Sequence, residues 1–334
     1  MKTQEAMHDD FFRNPGLGQQ SDARLDLEDL EVSPGRESDA GIIPAVVRRR
    51  CIAQHGELIQ GQLQDHNQRR RRFLISLPCD RLCSTVTFAP VFGERLTVEP
   101  VHKTKIRKVV ELTLEEVGFS QLGGTILVES NITESKGYGS STADCVAAAL
   151  AAAAAVDRNL TEEEVAEVVV AAEIASDNLM FSRAVLFAHR EGVVLEDLGP
   201  RLPRLEVLGI DTDMGGRVNT LDFDPATYDR RQIDRFEALV AGVRRAIRDR
   251  DLALLGRMAT SSAIINEQFL PKPMFSELYR LAQCVNALGI AVAHSGTVLS
   301  FLFDPSDSSM ENKMEQVCKE LDVLGITNVL RFHT

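Results

Sequence analysis

The segment Ile132-Thr133-Glu134-Ser135-Lys136-Gly137-Tyr138-Gly139-Ser140-Ser141-Thr142-Ala143-Asp144 decides how the rest of the chain is read. Gly137 and Gly139 allow positive φ and a close approach of backbone to a ligand. The alanine-rich run from Ser140 to Val156 is a strong helix former. The stretch Thr125 to Glu129, just upstream, reads as a short strand. The order is therefore strand, glycine loop, helix start, and the free N–H groups and positive dipole end of a helix start suit a phosphate. Ser135, Lys136, Gly137, Tyr138, Gly139, Ser140, Ser141 and Thr142 are the candidate nucleotide-binding residues. Ser140 and Ser141 supply hydroxyls that can bond phosphate or ligate magnesium, and Lys136 supplies charge for the terminal phosphates. The P-loop pattern puts lysine after the last glycine, whereas Lys136 precedes Gly-Tyr-Gly. An ordinary glycine-rich helix start with a serine cap would show the same composition.

Outward from this loop, strands and helices alternate in both halves. Val47–Ala53, Phe73–Leu77, Ser84–Ala89 and Arg95–Pro100 read as strands, and Val109–Val117 as a helix. Thr161 opens a second helix with Glu164 at the capping-box position. Leu205–Asp211 reads as a strand that starts a second domain, followed by helices over 225–250, 252–268 and 273–288. Strands over 289–293 and 298–303, a helix over 307–324 and a last strand over 327–332 complete the chain. This mixture predicts an α+β fold. We divide it into a tail over 1–45, an N-terminal domain over 46–204 and a C-terminal domain over 205–334. The tail holds ten acidic and four basic residues with little apolar periodicity, which predicts a disordered acidic segment. Within it, Leu25–Leu30 could form a transient helix or docking strip.

Composition excludes several classes. With 37 basic and 49 acidic residues among 334, the net charge is −12, against a general nucleic-acid partner. The six cysteines form no C-x-x-C pair, which points to reduced thiols rather than a zinc site or disulfide framework. No uncharged apolar run reaches the roughly 18 residues of a spanning helix, and no secretory signal core is visible, so the expected location is cytoplasmic with no membrane partner. A homodimer stays open. The run Arg69–Arg72 reads as a solvated hairpin tip, with steering of ATP or of an acidic partner as the alternative.

The loop segment resembles the second motif of the GHMP kinases, whose members include galactokinase, homoserine kinase and mevalonate kinase. Lys136-Gly137 followed by Ser140-Ser141-Thr142-Ala143-Asp144 looks like the threonine kinase branch of that family. Gly56-Glu57-Leu58-Ile59-Gln60-Gly61 resembles the branch's first motif, and Ala293-His294-Ser295-Gly296-Thr297-Val298 its third, in the family's order. Thr133 stands where proline is usual, Ile52-Ala53-Gln54-His55 replaces a Pro-Gly-Thr/Ser-Cys pattern, and Ala188-His189 replaces Asp-His.

The resemblance implies a two-domain fold with a ribosomal protein S5 domain 2-like N-terminal half and a ferredoxin-like C-terminal half. It implies ATP and Mg²⁺ as cofactors and a small hydroxylated substrate, L-threonine foremost, converted to O-phospho-L-threonine for cobalamin synthesis. Another hydroxy amino acid or amino alcohol, such as serine or homoserine, is the rival acceptor. A nucleotide-binding protein with little turnover is the rival of a different class.

By the same resemblance, Asp177 in Glu173–Phe181 matches the family's catalytic Asp, while a helix N-cap is its plain structural role. Lys136 would be catalytic beside it. Glu173 joins Ser141 as a magnesium ligand, or else sits on a solvated helix face. Glu57, with Ser295, Gly296 and Thr297, would face the substrate. Glu57 between its glycines could bind a substrate ammonium or simply bond backbone N–H groups. Asp144, a turn into the alanine helix, would favour the helix start or hold Lys136, and His294 reads as structural.

Overall fold

The computed structural model describes residues 37–38, 41–65, 67–213 and 226–334. The expectation of a disordered tail over 1–45, with its Leu25–Leu30 strip, therefore lies almost wholly outside the described residues. Within that region only a short antiparallel pair is described, β1 (Glu37–Ser38) with β2 (Gly41–Ile42).

The architecture is α+β, built on one long mixed sheet. Its spine is a hairpin of β3 (Val47–Gln64) and β4 (Arg70–Phe92). On one side, β4 pairs with β6 (Leu122–Ser130), which pairs in parallel with β5 (Leu96–Glu99). At its other end, β4 meets β7 (Ala184–Ala188), itself paired with β8 (Val193–Gly199). On the opposite side, β3 touches β10 (Gly289–Val292), and the sheet continues through β11 (Val298–Phe303) and β9 (Glu206–Asp211) to β12 (Val329–His333).

Two strands read as pieces in the sequence are each continuous. β3 runs through Gly56 because the ladder to β4 shifts register between Gln54 and Glu57, and Gly56 takes up the bulge at φ +74°. Pro78 lies opposite Gln54, at the edge of that break, where its missing N–H costs the ladder little. The hairpin β7–β8 was not anticipated. Its signal was the apolar run Ala184–Ala188 followed by a turn at Gly192, φ +72°.

Three helices cover the half of the sheet that carries β5 and β6. They are α1 (Thr104–Glu116), α2 (Ser140–Ala154) and α3 (Glu162–Glu173). α1 starts five residues ahead of the sequence expectation, because charged residues at its start mask the helical period. α3 has the expected capping box between Thr161 and Glu164. α4 (Arg230–Asp249) and α5 (Leu252–Glu267) enclose a second core with Leu58, Phe73 and Phe236. α6 (Phe275–Cys284) and α7 (Met310–Val323) cover the other face of β9–β11 around Phe301 and Phe303. Among the described residues, no helix is long and apolar enough to cross a membrane.

α2 is the element that positions the site. It packs on β3, β4, α1 and α3, and its residues Ala143, Cys145, Val146, Ala147, Ala148, Ala149, Ala151 and Ala152 are all buried. Small side chains let the helix lie close against several neighbours at once, and close packing leaves no room to enlarge them. Ala148→Leu should therefore destabilise the protein by about 1–3 kcal/mol. A urea unfolding midpoint unchanged from wild type would show that α2 is not wedged in this way.

Candidate active site

The loop between β6 and α2 turns through positive φ where the sequence supplies glycine. Gly137 has φ +98° and Gly139, the N-cap of α2, has φ +69°. A Cβ on Gly137 would lie 2.3 Å from the Ala293 methyl, and one on Gly296 would lie 2.0 Å from the Lys136 carbonyl oxygen. Backbone bonds complete the contact. The Gln54 N–H donates to Tyr138 O (3.0 Å), the Gly56 N–H to Gly137 O (3.1 Å) and the Thr297 N–H to Lys136 O (2.9 Å). The bulge in β3 releases the first two donors from the β3–β4 ladder. The three glycine-bearing motifs thus form one backbone stack at the start of α2.

A cleft of about 690 Å³ opens over this stack. Ser135, Gly137, Gly139, Ser140, Ser141 and Thr142 line it. Lys136 and Tyr138 point elsewhere. The Lys136 ammonium is buried against Asp211 (2.8 Å) and donates to Asp213 O. Tyr138 is buried edge-on against His55, ring centroids 5.1 Å apart. Lys136 is therefore a strut from the loop to the end of β9. Nor does it pair with Asp144, as one sequence reading had it: Asp144 accepts from Ser84 Oγ and pairs with Lys103.

The cations that do face the loop come from the start of α1, which sequence reasoning passed over. Lys103 also reaches Glu134 (2.9 Å), and Lys105 reaches Ser141 Oγ and Glu173 Oε1, each at 3.2 Å. The signal was present in Lys103, Lys105, Arg107 and Lys108, a basic stretch just before the apolar period of the helix.

Glu173, the last residue of α3, is buried rather than solvated. Its carboxylate accepts from Ser141 Oγ and from Thr142 Oγ1 (3.0 Å). Asp177 follows on a stretch with no helix, so the N-cap role falls away. Its N–H donates to Thr142 Oγ1 (3.3 Å), and its Oδ2 would lie 3.0 Å from a Cβ on Gly139, which places it across from the loop. Burial, and then the Glu173 charge, push the Asp177 carboxyl up to about 7, against hydrogen bonds from Gln54 and Thr142.

Glu57 is buried on β3 and also lines the cleft. It accepts from the His294 N–H and from Gln54 Nε2 (3.0 Å), so the backbone-bonding role is present. Burial, followed by Asp177, raises its carboxyl well above the usual range. Gln54, at one of the departures from the family pattern, thus touches both acids. Of the third motif, Ser295 and His294 line the cleft. Gly296 and Thr297 do not: Gly296 lies under Lys136 O, and Thr297 Oγ1 donates to Asp211. His294 bonds Gln60 and packs on His189, with ring centroids 5.3 Å apart.

The basic run stands at the tip of the β3–β4 hairpin, with Arg69 and Arg70 exposed as expected of a solvated tip and Arg71 and Arg72 half-buried, and each side chain has a partner. Arg69 and Arg71 pair with Glu191 (3.1 and 3.4 Å), while Arg70 and Arg72 donate to the carbonyls of Tyr228 and Ala226.

Among the described residues, no cluster of three or more His, Cys, Asp or Glu side chains could hold a metal. Ser141 and Glu173 nevertheless bring a hydroxyl and a carboxylate oxygen into contact at the loop. That set fits Mg²⁺, which is commonly held by one or two carboxylates together with phosphate oxygens and water.

Comparison with known proteins points to one family. Residues 104–182 match the GHMP kinases N terminal domain. The L-threonine kinase of Citrobacter freundii is 31% identical over 265 residues, covering 76% of this chain and 85% of that protein. The L-threonine kinase of Salmonella typhimurium is 29% identical over 266 residues, covering 76% and 82%. Among solved structures, homoserine kinase from Cytophaga hutchinsonii superposes with a TM-score of 0.62 at 15% identity, covering 86% of this chain and 94% of that one. Mevalonate kinase from L. major gives 0.56 at 15%, covering 86% and 95%.

The stack predicts that a methyl group at Gly296 forces the loop away from β10 and β11. Gly296→Ala should weaken binding of a nucleoside triphosphate by roughly tenfold or more while the protein stays folded, since several loop N–H donors are displaced together. Titration calorimetry with unchanged affinity would separate the third motif from the phosphate loop.

Proposed function

Because the chain belongs to the GHMP kinase family and is a phosphotransferase acting on a hydroxyl of a small molecule, we propose that it transfers the γ-phosphoryl group of ATP to the side-chain hydroxyl of L-threonine. The product, O-phospho-L-threonine, would serve cobalamin synthesis. The observation that carries this reading is the placement of Asp177 opposite Gly139, across the mouth of the phosphate loop and beside the Ser141–Glu173 pair.

The N–H groups at the start of α2 hold the phosphates, helped by the positive end of the helix dipole. Lys105 adds charge beside Ser141. Ser141 and Glu173 would hold magnesium, which when bound neutralises phosphate charge. Phosphoryl transfer needs positioning and charge neutralisation more than covalent help. Asp177 orients the acceptor hydroxyl and takes its proton as the new O–P bond forms and the bond from the γ-phosphorus to the bridging oxygen of departing ADP breaks. With its carboxyl pushed up to about 7, it is a better proton acceptor than an ordinary aspartate, and burial beside Glu173 is the cause. Glu57, the second acid on the acceptor side, suits the substrate ammonium. Lys136 acts through the loop it braces.

The expected signature of Asp177 has two parts. Asp177→Asn should lower kcat by about 10²–10⁴-fold with little change in ATP affinity. In wild type, kcat should rise with pH through the region near 7, because only the ionised carboxylate accepts a proton. ADP release across threonine, serine, homoserine and the matching amino alcohols tests the acceptor. An Asp177→Asn enzyme with wild-type turnover would remove the base, and absence of ADP release on every acceptor would overturn the kinase reading.

A further inference from the structure

Beyond Glu57, the cleft ends in a wall that the transfer step does not use. Arg190, exposed on the turn between β7 and β8, lines it together with Arg72 near the start of β4. Arg72 is held in place: its Nη2 donates to Ala226 O and its guanidinium lies 5.6 Å from the centre of the Tyr228 ring. His189 and His294 stand in the same wall, edge to face. The Nδ1 of His189 is buried and has no hydrogen-bond partner.

The charges here are unbalanced. Among the described residues, no carboxylate lies within ion-pair reach of Arg72 or Arg190, and Glu191 is engaged by Arg69 and Arg71 instead. The two arginines are close enough to oppose one another, since Arg190 adds to the burial that makes Arg72 easier to deprotonate. Burial and then the nearby cations keep His294 neutral, at about 4, and burial likewise holds His189 well below the usual range. In a protein of net charge −12, two guanidinium groups with no acid partner among the described residues form a local anion site. Planar guanidinium forks match a carboxylate in a two-point contact.

We infer that Arg190 and Arg72 form the seat of the acceptor's carboxylate, so that the cleft takes a hydroxy amino acid in preference to an amino alcohol. This rests on the kinase reading above and extends it. Asp177 faces Gly139 with Glu57 close enough to act on it, whereas Arg72 and Arg190 are the cations that act on His294 and His189 in the wall. That polarity aligns a zwitterion with its hydroxyl and ammonium toward the acids and its carboxylate toward the arginines. An acceptor lacking the carboxylate would leave both guanidinium groups without that counter-ion, and sites built for a polar group discriminate against analogues that lack it.

The test compares L-threonine with L-threoninol, which keeps the hydroxyl and the amine but carries an alcohol in place of the carboxylate. Each is titrated calorimetrically into the full chain with magnesium and a non-hydrolysable ATP analogue. Wild type should bind threonine roughly tenfold or more tighter than threoninol, the scale of a charge-assisted contact. Arg190→Gln, at an exposed position, should erase that preference and leave the threoninol affinity unchanged, and Arg190→Lys should restore part of it. Arg72→Gln serves as a second variant, with melting temperature recorded because Arg72 also braces Tyr228. The inference is overturned if wild type binds both ligands equally or binds neither, or if Arg190→Gln keeps the preference. ADP release measured on the same preparations separates the two claims. A threonine preference without ADP fails the kinase reading alone, and ADP formed from threonine with no effect of Arg190→Gln fails the carboxylate seat alone.

Discussion

At the centre of the molecule, backbone meets backbone more closely than any side chain allows. The Lys136 carbonyl, the Gly137 Cα, the Gly296 Cα and the Ala293 methyl occupy a space with no room for one further carbon. Everything at the donor end of the cleft follows from that contact. It fixes the height of the loop above the sheet, and hence where the first N–H groups of α2 point. The buried Lys136–Asp211 pair and the bonds from Thr297 and Thr212 tie the same point to β9 and β11. Breaking such a pair by removing one partner leaves an uncompensated buried charge, which is far costlier than the pair is stabilising. Lys136 therefore belongs to the architecture as much as to the phosphate loop.

Around this fixed point the carboxylates are arranged unevenly. Glu173 is surrounded by donors from Ser141, Thr142 and Lys105. Glu57 and Asp177 have fewer and share Gln54 between them, and their carboxyls are pushed up by burial. Acids in one cleft with environments that differ this much can take different tasks. Behind Glu57 the buried Lys272, lowered to about 8 by burial, supplies a nearby cation.

Much of the plan was visible in the residues. The loop glycines, the alanine helix and the Thr161 capping box are local signals, set by conformational freedom and helix propensity, and they appear where the sequence places them. The order of the three motifs pointed to the family, and their meeting in one backbone stack is a finding of the structure. What remained hidden was side-chain direction. Lys136 lies next to Gly137 in the chain, and only the position of Asp211, on a distant strand, turns its ammonium away from the cleft. Lys103 and Lys105 were obscured because charged residues on the first turn of α1 carry no apolar period. β7 was missed because its residues are buried throughout and so show no alternation. For Asp177 the cap role stood as the plain structural alternative to the catalytic one, and the segment after it is not helical.

The continuity of the sheet has a mechanical consequence. β3 and β4 run unbroken from the layer that carries α2 to the layer that carries α4, and their ladder would have to shear for the two layers to swing apart. Hinges absorb motion at loops or element ends rather than within paired strands. Any tightening of the cleft around its ligands must then come from its rim, at the entry to α1 and the turn between β7 and β8. The floor beneath would stay still, so that the distance from phosphate loop to acid is set when the chain folds rather than when the ligand arrives.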